Sequence, residues 1–361
     1  AAQRTALESA GLFELLMFRS GPAHRAARLS LAGLFAGTQL NRIRALITAR
    51  VATLLRPHAD GPAFDIIECA AADIAVCALA ELVGVAEDTV RAFIARTRRV
   101  AALLAAVPLS PPEITASATE FAAMTDFIGQ LISEAGQTRE RRHPITTALA
   151  KITQPSERRR FMADLVALLV TGYDTSVATL GNAVAALAAH PPGRRALIAD
   201  PSLLPRAADE LIRFDVAGQV VFRHALEATQ VGTRSIEPGT TIALLIGAAN
   251  RDPEEFDSPD ILDPARQRGR PLSFGLGPHA CIGAALARLQ LNALLQGLGP
   301  YLATLVVVQP HAGAGQHGLI RRHAELMARI GRPVSPLVLP MPEMAPIPIG
   351  GNKKTVTSGA L

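Results

Sequence analysis

Tryptophan is absent from this chain, tyrosine occurs twice, and all aromatics together make up 4% of the residues. Single-stranded nucleic acid is gripped by stacking bases on aromatic side chains, and membrane proteins anchor their interfaces with Trp and Tyr, so neither class is expected. Lysine is almost missing too. It stands only at Lys151, Lys353 and Lys354, the other basic residues being dispersed arginines with no long basic run to follow a phosphate backbone. Cys69, Cys77 and Cys281 form no C-x-x-C pair, which points to a reducing compartment rather than a disulfide scaffold. No positively flanked leader opens the sequence, so cytoplasmic residence is expected. The most membrane-like stretch, 161–190, is interrupted by Asp164 and Asp174 and reads as a buried core helix instead of a membrane span.

What remains is ample for a large core. The 361 residues are 49% apolar and 19% charged, with a formal net charge of +5, and the mean hydropathy is +0.25. That composition excludes disorder for the bulk of the chain and leaves aliphatic side chains to fill the interior. Arginine, a rigid planar fork of donors, suits buried carboxylates and internal anions better than lysine does.

Helical periodicity dominates the sequence. A helix is expected from Gly21-Pro22 through Leu34, then at about 38–56, 67–83, 87–105, 113–136, 156–190, 193–199, 203–214 and 282–298. Proline- and glycine-rich breaks separate them, His143-Pro144 and Pro191-Pro192 among them. Short β-prone pieces occupy 220–222, 229–231 and 240–245. Residues 247–280 form a connection rich in Asp, Pro, Gly and Arg, and a structureless stretch of that length inside a compact domain is uncommon unless it serves a function. The expected organisation is one mainly α domain over 1–335 with a small β region, followed by a Pro-rich extension and tail over 336–361.

The sharpest local feature is Phe274-Gly275-Leu276-Gly277-Pro278-His279-Ala280-Cys281-Ile282-Gly283, which runs straight into a helix. A cysteine at a helix N-terminus feels the positive end of the macrodipole and free backbone N–H groups, which bias it toward thiolate: a nucleophile or a metal ligand. Cys69 and Cys77, on an apolar helix, read as packing residues.

This pattern, Phe274-x-x-Gly277-x-x-x-Cys281-x-Gly283, resembles the haem-binding loop of cytochrome P-450 enzymes, and with four further signatures it stands in that family's order along residues 21–300. Glu210-x-x-Arg213 matches its E-x-x-R pair, with Arg266 at the place of the third member of that ion cluster. Thr171-Gly172-Tyr173-Asp174-Thr175-Ser176 resembles its oxygen-activation motif. His24-x-x-x-Arg28 matches its H-x-x-x-R, and Arg223 and His279 stand where the family places donors to the haem propionates. The resemblance implies a P-450-like fold, mainly α with a small β region and with the family's N-terminal part apparently missing. It implies haem b held by the Cys281 thiolate, with Phe274 and Gly283 in the same cofactor-binding loop.

From the same resemblance, Asp174 would relay protons and Thr175 would hold a proton donor beside dioxygen. Gly172, costly in mid-helix, would leave room for a flat ring. Ala167, Val170, Thr171, Gln219 and Val221 are the candidate lining of a mainly apolar substrate site. The implied activity is insertion of one oxygen atom from dioxygen into a small organic substrate. Electrons would come from a ferredoxin and an NAD(P)H-dependent reductase, since no G-x-G-x-x-G unit or cysteine cluster supplies them within the chain. An acidic ferredoxin would dock near Arg25 and Arg288. Weighed against this are a peroxide-driven haem–thiolate enzyme, a haem-binding protein without catalysis, and a cysteine-nucleophile enzyme using Cys281 with His279, whose spacing is poor for a base oriented by a third group.

Overall fold

The computed structural model describes residues 8, 11–104, 109–138, 143–308, 315–317 and 319–333. The expected 336–361 extension lies outside them. Eleven α-helices are described among these residues: α1 (Gly21–Ala32), α2 (Gly37–Leu55), α3 (Asp73–Val83), α4 (Glu87–Leu104), α5 (Pro111–Thr138), α6 (Pro144–Ala150), α7 (Pro155–Ala189), α8 (Pro191–Ala199), α9 (Leu204–Phe214), α10 (Ile246–Ala249) and α11 (Ala284–Leu298). The strands are β1 (Phe64–Asp65), β2 (Val220–His224), β3 (Thr229–Val231), β4 (Arg234–Ile236), β5 (Thr241–Leu245), β6 (Val306–Val307), β7 (Gly315–His317), β8 (Ile320–Arg322) and β9 (Met327–Arg329). Every pairing between them is antiparallel, in one three-stranded sheet of order β1-β9-β6 and three two-stranded ones.

The mainly α expectation holds, and the differences have local causes. Pro144, expected as a breaker, opens α6, because the His143 ring accepts the Ile145 N–H and caps the turn. Pro191 and Pro192 likewise start α8. The expected 67–83 helix begins as a π-turn, Ile67–Ala72, before regular α3. The β1-β9-β6 sheet joins segments far apart in sequence and left no local signal.

α7 is the axis of the molecule. It packs against α3, α4, α5, α9 and α11 and against β8. Leu165, Val166, Leu169, Val177, Leu180 and Leu187 are all buried in the common core. By length and composition α7 could cross a membrane, but most of its apolar span is covered by protein, as the core-helix reading expects.

Candidate functional site

The burial of α7 is broken once. Residues 161–170 and 176–187 are almost wholly enclosed, whereas Thr171, Gly172, Tyr173, Asp174 and Thr175 are all partly accessible. Three threonines one turn apart bond back along the helix: Thr171 Oγ1 donates to the Ala167 carbonyl at 2.8 Å, Thr175 to Thr171 at 2.7 Å and Thr179 to Thr175 at 2.7 Å. Asp174 pairs with Arg322 of β8, Nη1 to Oδ1 at 2.9 Å. Nothing local in the sequence marks Arg322, which reaches Asp174 from 148 residues away.

Gly172 lies where α7 meets α3. A Cβ there would lie 3.3 Å from Leu79 Cδ2, so its missing side chain lets α3 approach α7. Of the candidate lining residues, Ala167 and Val170 are buried with the apolar core. Thr171, Gln219 and Val221 keep accessible surface. The Gln219 amide donates to the Val216 carbonyl at 2.6 Å and lies against Gly247, where a Cβ would collide with it.

The cysteine loop is shaped by backbone conformation. Gly275 and Gly277 sit at φ +66° and +73°, in the left-handed region that side chains disfavour, and open space surrounds the position of a Cβ at either one. The Cys281 N–H closes the loop on the Phe274 carbonyl at 2.8 Å. A 3-10 turn, Gly277–His279, precedes the cysteine, and α11 starts only at Ala284. Cys281 is solvent-accessible, yet enough protein surrounds it that burial pushes its thiol pKa up. The backbone N–H groups of Gly283 and Ala284 and the charges of Arg28 and Arg288 pull the other way without prevailing. Desolvation and the loop's N–H groups and arginine charges thus act on the free thiol in opposite directions.

His24 and Arg28 of α1 meet this loop. The His24 and His279 rings lie 4.1 Å apart. Burial first, then the charges of His279, Arg28, Arg19 and Arg25, lowers the pKa of His24. Arg288 stacks its guanidinium over the Phe274 ring at 4.6 Å and holds Asp209 of α9 at 2.6 Å. Arg223, by contrast, stands exposed on β2 with its hydrogen bond running to the neighbouring Phe222 carbonyl at 2.8 Å. The structure thus gathers His24, Arg28, Phe274, His279 and Cys281, and leaves Arg223 outside that group of contacts.

Behind the loop lies a buried ion cluster. Glu210 accepts Arg213 Nε at 2.7 Å and Nη2 at 2.8 Å, Arg266 Nε at 3.0 Å and the Asp263 N–H at 3.0 Å. Arg213 also donates to the Asn250 carbonyl at 2.7 Å. The Asn250 side chain accepts the Leu272 N–H at 2.8 Å and donates to Ser273 Oγ at 2.9 Å. A continuous chain of hydrogen bonds therefore runs from Glu210 to the residue before Phe274. Asn250, fully buried, was invisible as a member of this network because its partners are distant in sequence.

A family profile for cytochrome P-450 matches residues 195–298, which hold both the ion cluster and the cysteine loop. The putative cytochrome P-450 133B1 of Xylella fastidiosa is 30% identical over 284 residues, covering 77% of this chain and 69% of that protein. The chain belongs to the cytochrome P-450 family. The 6-deoxyerythronolide B hydroxylase of Saccharopolyspora erythraea is 28% identical over 77% of this chain and 68% of its own length. Among solved structures, that of CalO2 superposes with a TM-score of 0.80 at 25% identity, over 93% of this chain and 85% of that one. This P-450 is a haem–thiolate monooxygenase, its cofactor a haem with a cysteine thiolate as proximal ligand.

The residues present fit that cofactor. Among the described residues no three His, Cys, Asp or Glu side chains are grouped to hold a bare metal ion. An accessible lone sulfur suits a metal whose other ligands come with a macrocycle. Arg28 and the His24–His279 pair beside the loop suit a macrocycle carrying acid groups.

Proposed function

We propose that Cys281 is the proximal ligand and that the accessible strip of α7 forms the distal wall where substrate is oxidised. The observation that carries this reading is a pair of accessible stretches on elements that pack together. They are the accessible sulfur of Cys281, just ahead of α11, and the accessible residues Thr171 to Thr175 on α7, the helix packed against α11. When bound, the haem supplies oxygen activation, and the thiolate favours cleavage of the O–O bond.

The chain's own residues have separable tasks. His24, Arg28 and His279 bind the acid groups of the cofactor, and Phe274 with Gly283 shapes the loop around the sulfur. Glu210, Arg213 and Arg266 brace that loop through Asn250. Asp174 carries protons inward from solvent and Thr175 holds the last of them at its hydroxyl, which in the resting geometry donates to the Thr171 carbonyl. Thr171, Gln219 and Val221 face a mainly apolar organic substrate. Electrons arrive from a ferredoxin and its NAD(P)H-dependent reductase through the face that carries Arg25 and Arg288. The presence of both Asp174 and Thr175 favours dioxygen over peroxide as the oxidant.

The reduced, carbon-monoxide-bound spectrum tests the ligand assignment. Wild-type protein is expected to show the shifted Soret band of a thiolate-bound haem, and Cys281→His is expected to lose it while still binding haem. A wild-type spectrum without the shift would overturn the reading.

A further inference from the structure

The accessible strip of α7 carries two polar groups that the proton path does not use, the hydroxyls of Thr171 and Tyr173. Thr171 sits at its start, half-open among neighbours that are closed: Ala167 and Val170 before it and Ser176 beyond the strip are buried. Its hydroxyl proton is committed to the Ala167 carbonyl at 2.8 Å. A threonine hydroxyl has one proton and two acceptor lone pairs, so what Thr171 can still offer a neighbour is an acceptor. Thr175, one turn on at position i+4, is arranged in the same way, its proton directed at the Thr171 carbonyl at 2.7 Å. The wall is thus polarised. Ala167, Leu168 and Val170 on the turn before it are aliphatic, whereas the Thr171 hydroxyl has its proton committed and can accept a hydrogen bond.

We propose that Thr171 is a specificity-determining residue of this monooxygenase, selecting apolar substrates that carry a hydrogen-bond donor, a hydroxyl or an N–H, over their deoxygenated or acceptor-only analogues. The inference rests on the assignment of the α7 strip as the distal wall. Its physical basis is the asymmetry of hydrogen bonding in a secluded site. A donor on the substrate gains a partner there, whereas a bare carbonyl or ether oxygen would face a lone pair and lose its water.

Azoles that ligate haem iron report on this wall without turnover. Phenylimidazole, its ortho- and meta-hydroxyphenyl analogues and the matching methoxyphenyl compounds would be titrated into the ferric holoenzyme and followed by the Soret shift. In the wild type, a hydroxyphenyl compound is expected to bind about 5- to 10-fold more tightly than phenylimidazole, with no such gain for methoxyphenyl. Thr171→Val, which keeps the shape and removes the oxygen, should abolish the preference while leaving phenylimidazole affinity within about twofold, showing that the pocket is intact. Thr171→Ser should retain the preference. A hydroxyl preference that is absent in the wild type, or unchanged in Thr171→Val, overturns the proposal while the distal-wall assignment stands. Failure of every azole to shift the wild-type spectrum overturns that assignment and the proposal with it.

Discussion

Two carboxylates of this chain each face arginine, Glu210 on α9 and Asp174 on α7, and they are built to opposite ends. The Glu210 side chain is 3% exposed and receives two guanidinium groups and a backbone N–H, with the arginines' other N–H groups spent on the carbonyls of Asn250, Pro259, Asp257, Ser258 and Ile261. Asp174 is 22% exposed and its Arg322 partner 25%, and the Nε of that arginine is buried without a partner. A saturated network resists any change of charge, because each removed partner strands another ion in a dry interior. A half-open pair is weakened by water and can exchange. The first arrangement suits holding a loop in place, and the second suits a group that must gain and lose protons.

The contrast breaks hardest at the saturated end. Glu210→Gln leaves Arg213 and Arg266 as uncompensated cations behind the cysteine loop, and a loss of about 3–5 kcal/mol is expected. Chemical unfolding of the variant should show that loss, together with poor haem retention. A change under about 1 kcal/mol would mean that the cluster does not brace the loop.

Asp164 lies between the two extremes. It is buried but meagrely served, accepting the Leu16 N–H at 2.6 Å and facing Arg19 at 3.4 Å, and its pKa is pushed up to about 6 because burial outweighs both. The folded state thus binds this proton more tightly than the unfolded chain does. The stability tied to Asp164 is fully present in acid below the ordinary carboxylate value, and it is lost as pH rises through about 6. Asp164→Asn should remove that part of the pH dependence, so that the difference in unfolding free energy between variant and wild type shifts by about 2–3 kcal/mol between pH 4 and pH 7. Equal slopes in the two proteins would show that Asp164 is better solvated than the structure indicates.

How much of this was legible beforehand follows the same division. The positions that draw on local chemistry could be read directly: the glycines of the 274–281 turn region, the i, i+3 spacing of Glu210 and Arg213, and the apolar period of α7. What escaped was supplied from a distance. Arg322 reaches Asp174, Asn250 ties the ion cluster to Leu272 and Ser273, and Leu79 packs close to Gly172.

The smallest effect on stability is expected at the open end, and it is the most informative there. Arg322→Gln removes a pair that is partly solvated, so unfolding should change by less than about 1 kcal/mol. Its consequence should appear instead in proton handling. With the arginine gone, the Asp174 carboxylate loses its ion pair to β8, and the yield of product per reducing equivalent should fall several-fold. Asp174→Asn, which removes the titratable group itself, should cost about 100-fold in turnover. Both variants should keep the wild-type carbon-monoxide spectrum, because neither touches the cysteine loop. If Arg322→Gln instead destabilises the fold as Glu210→Gln does while coupling stays intact, Arg322 is a structural anchor of β8 on α7, and the division between a holding cluster and an exchanging pair does not apply at Asp174.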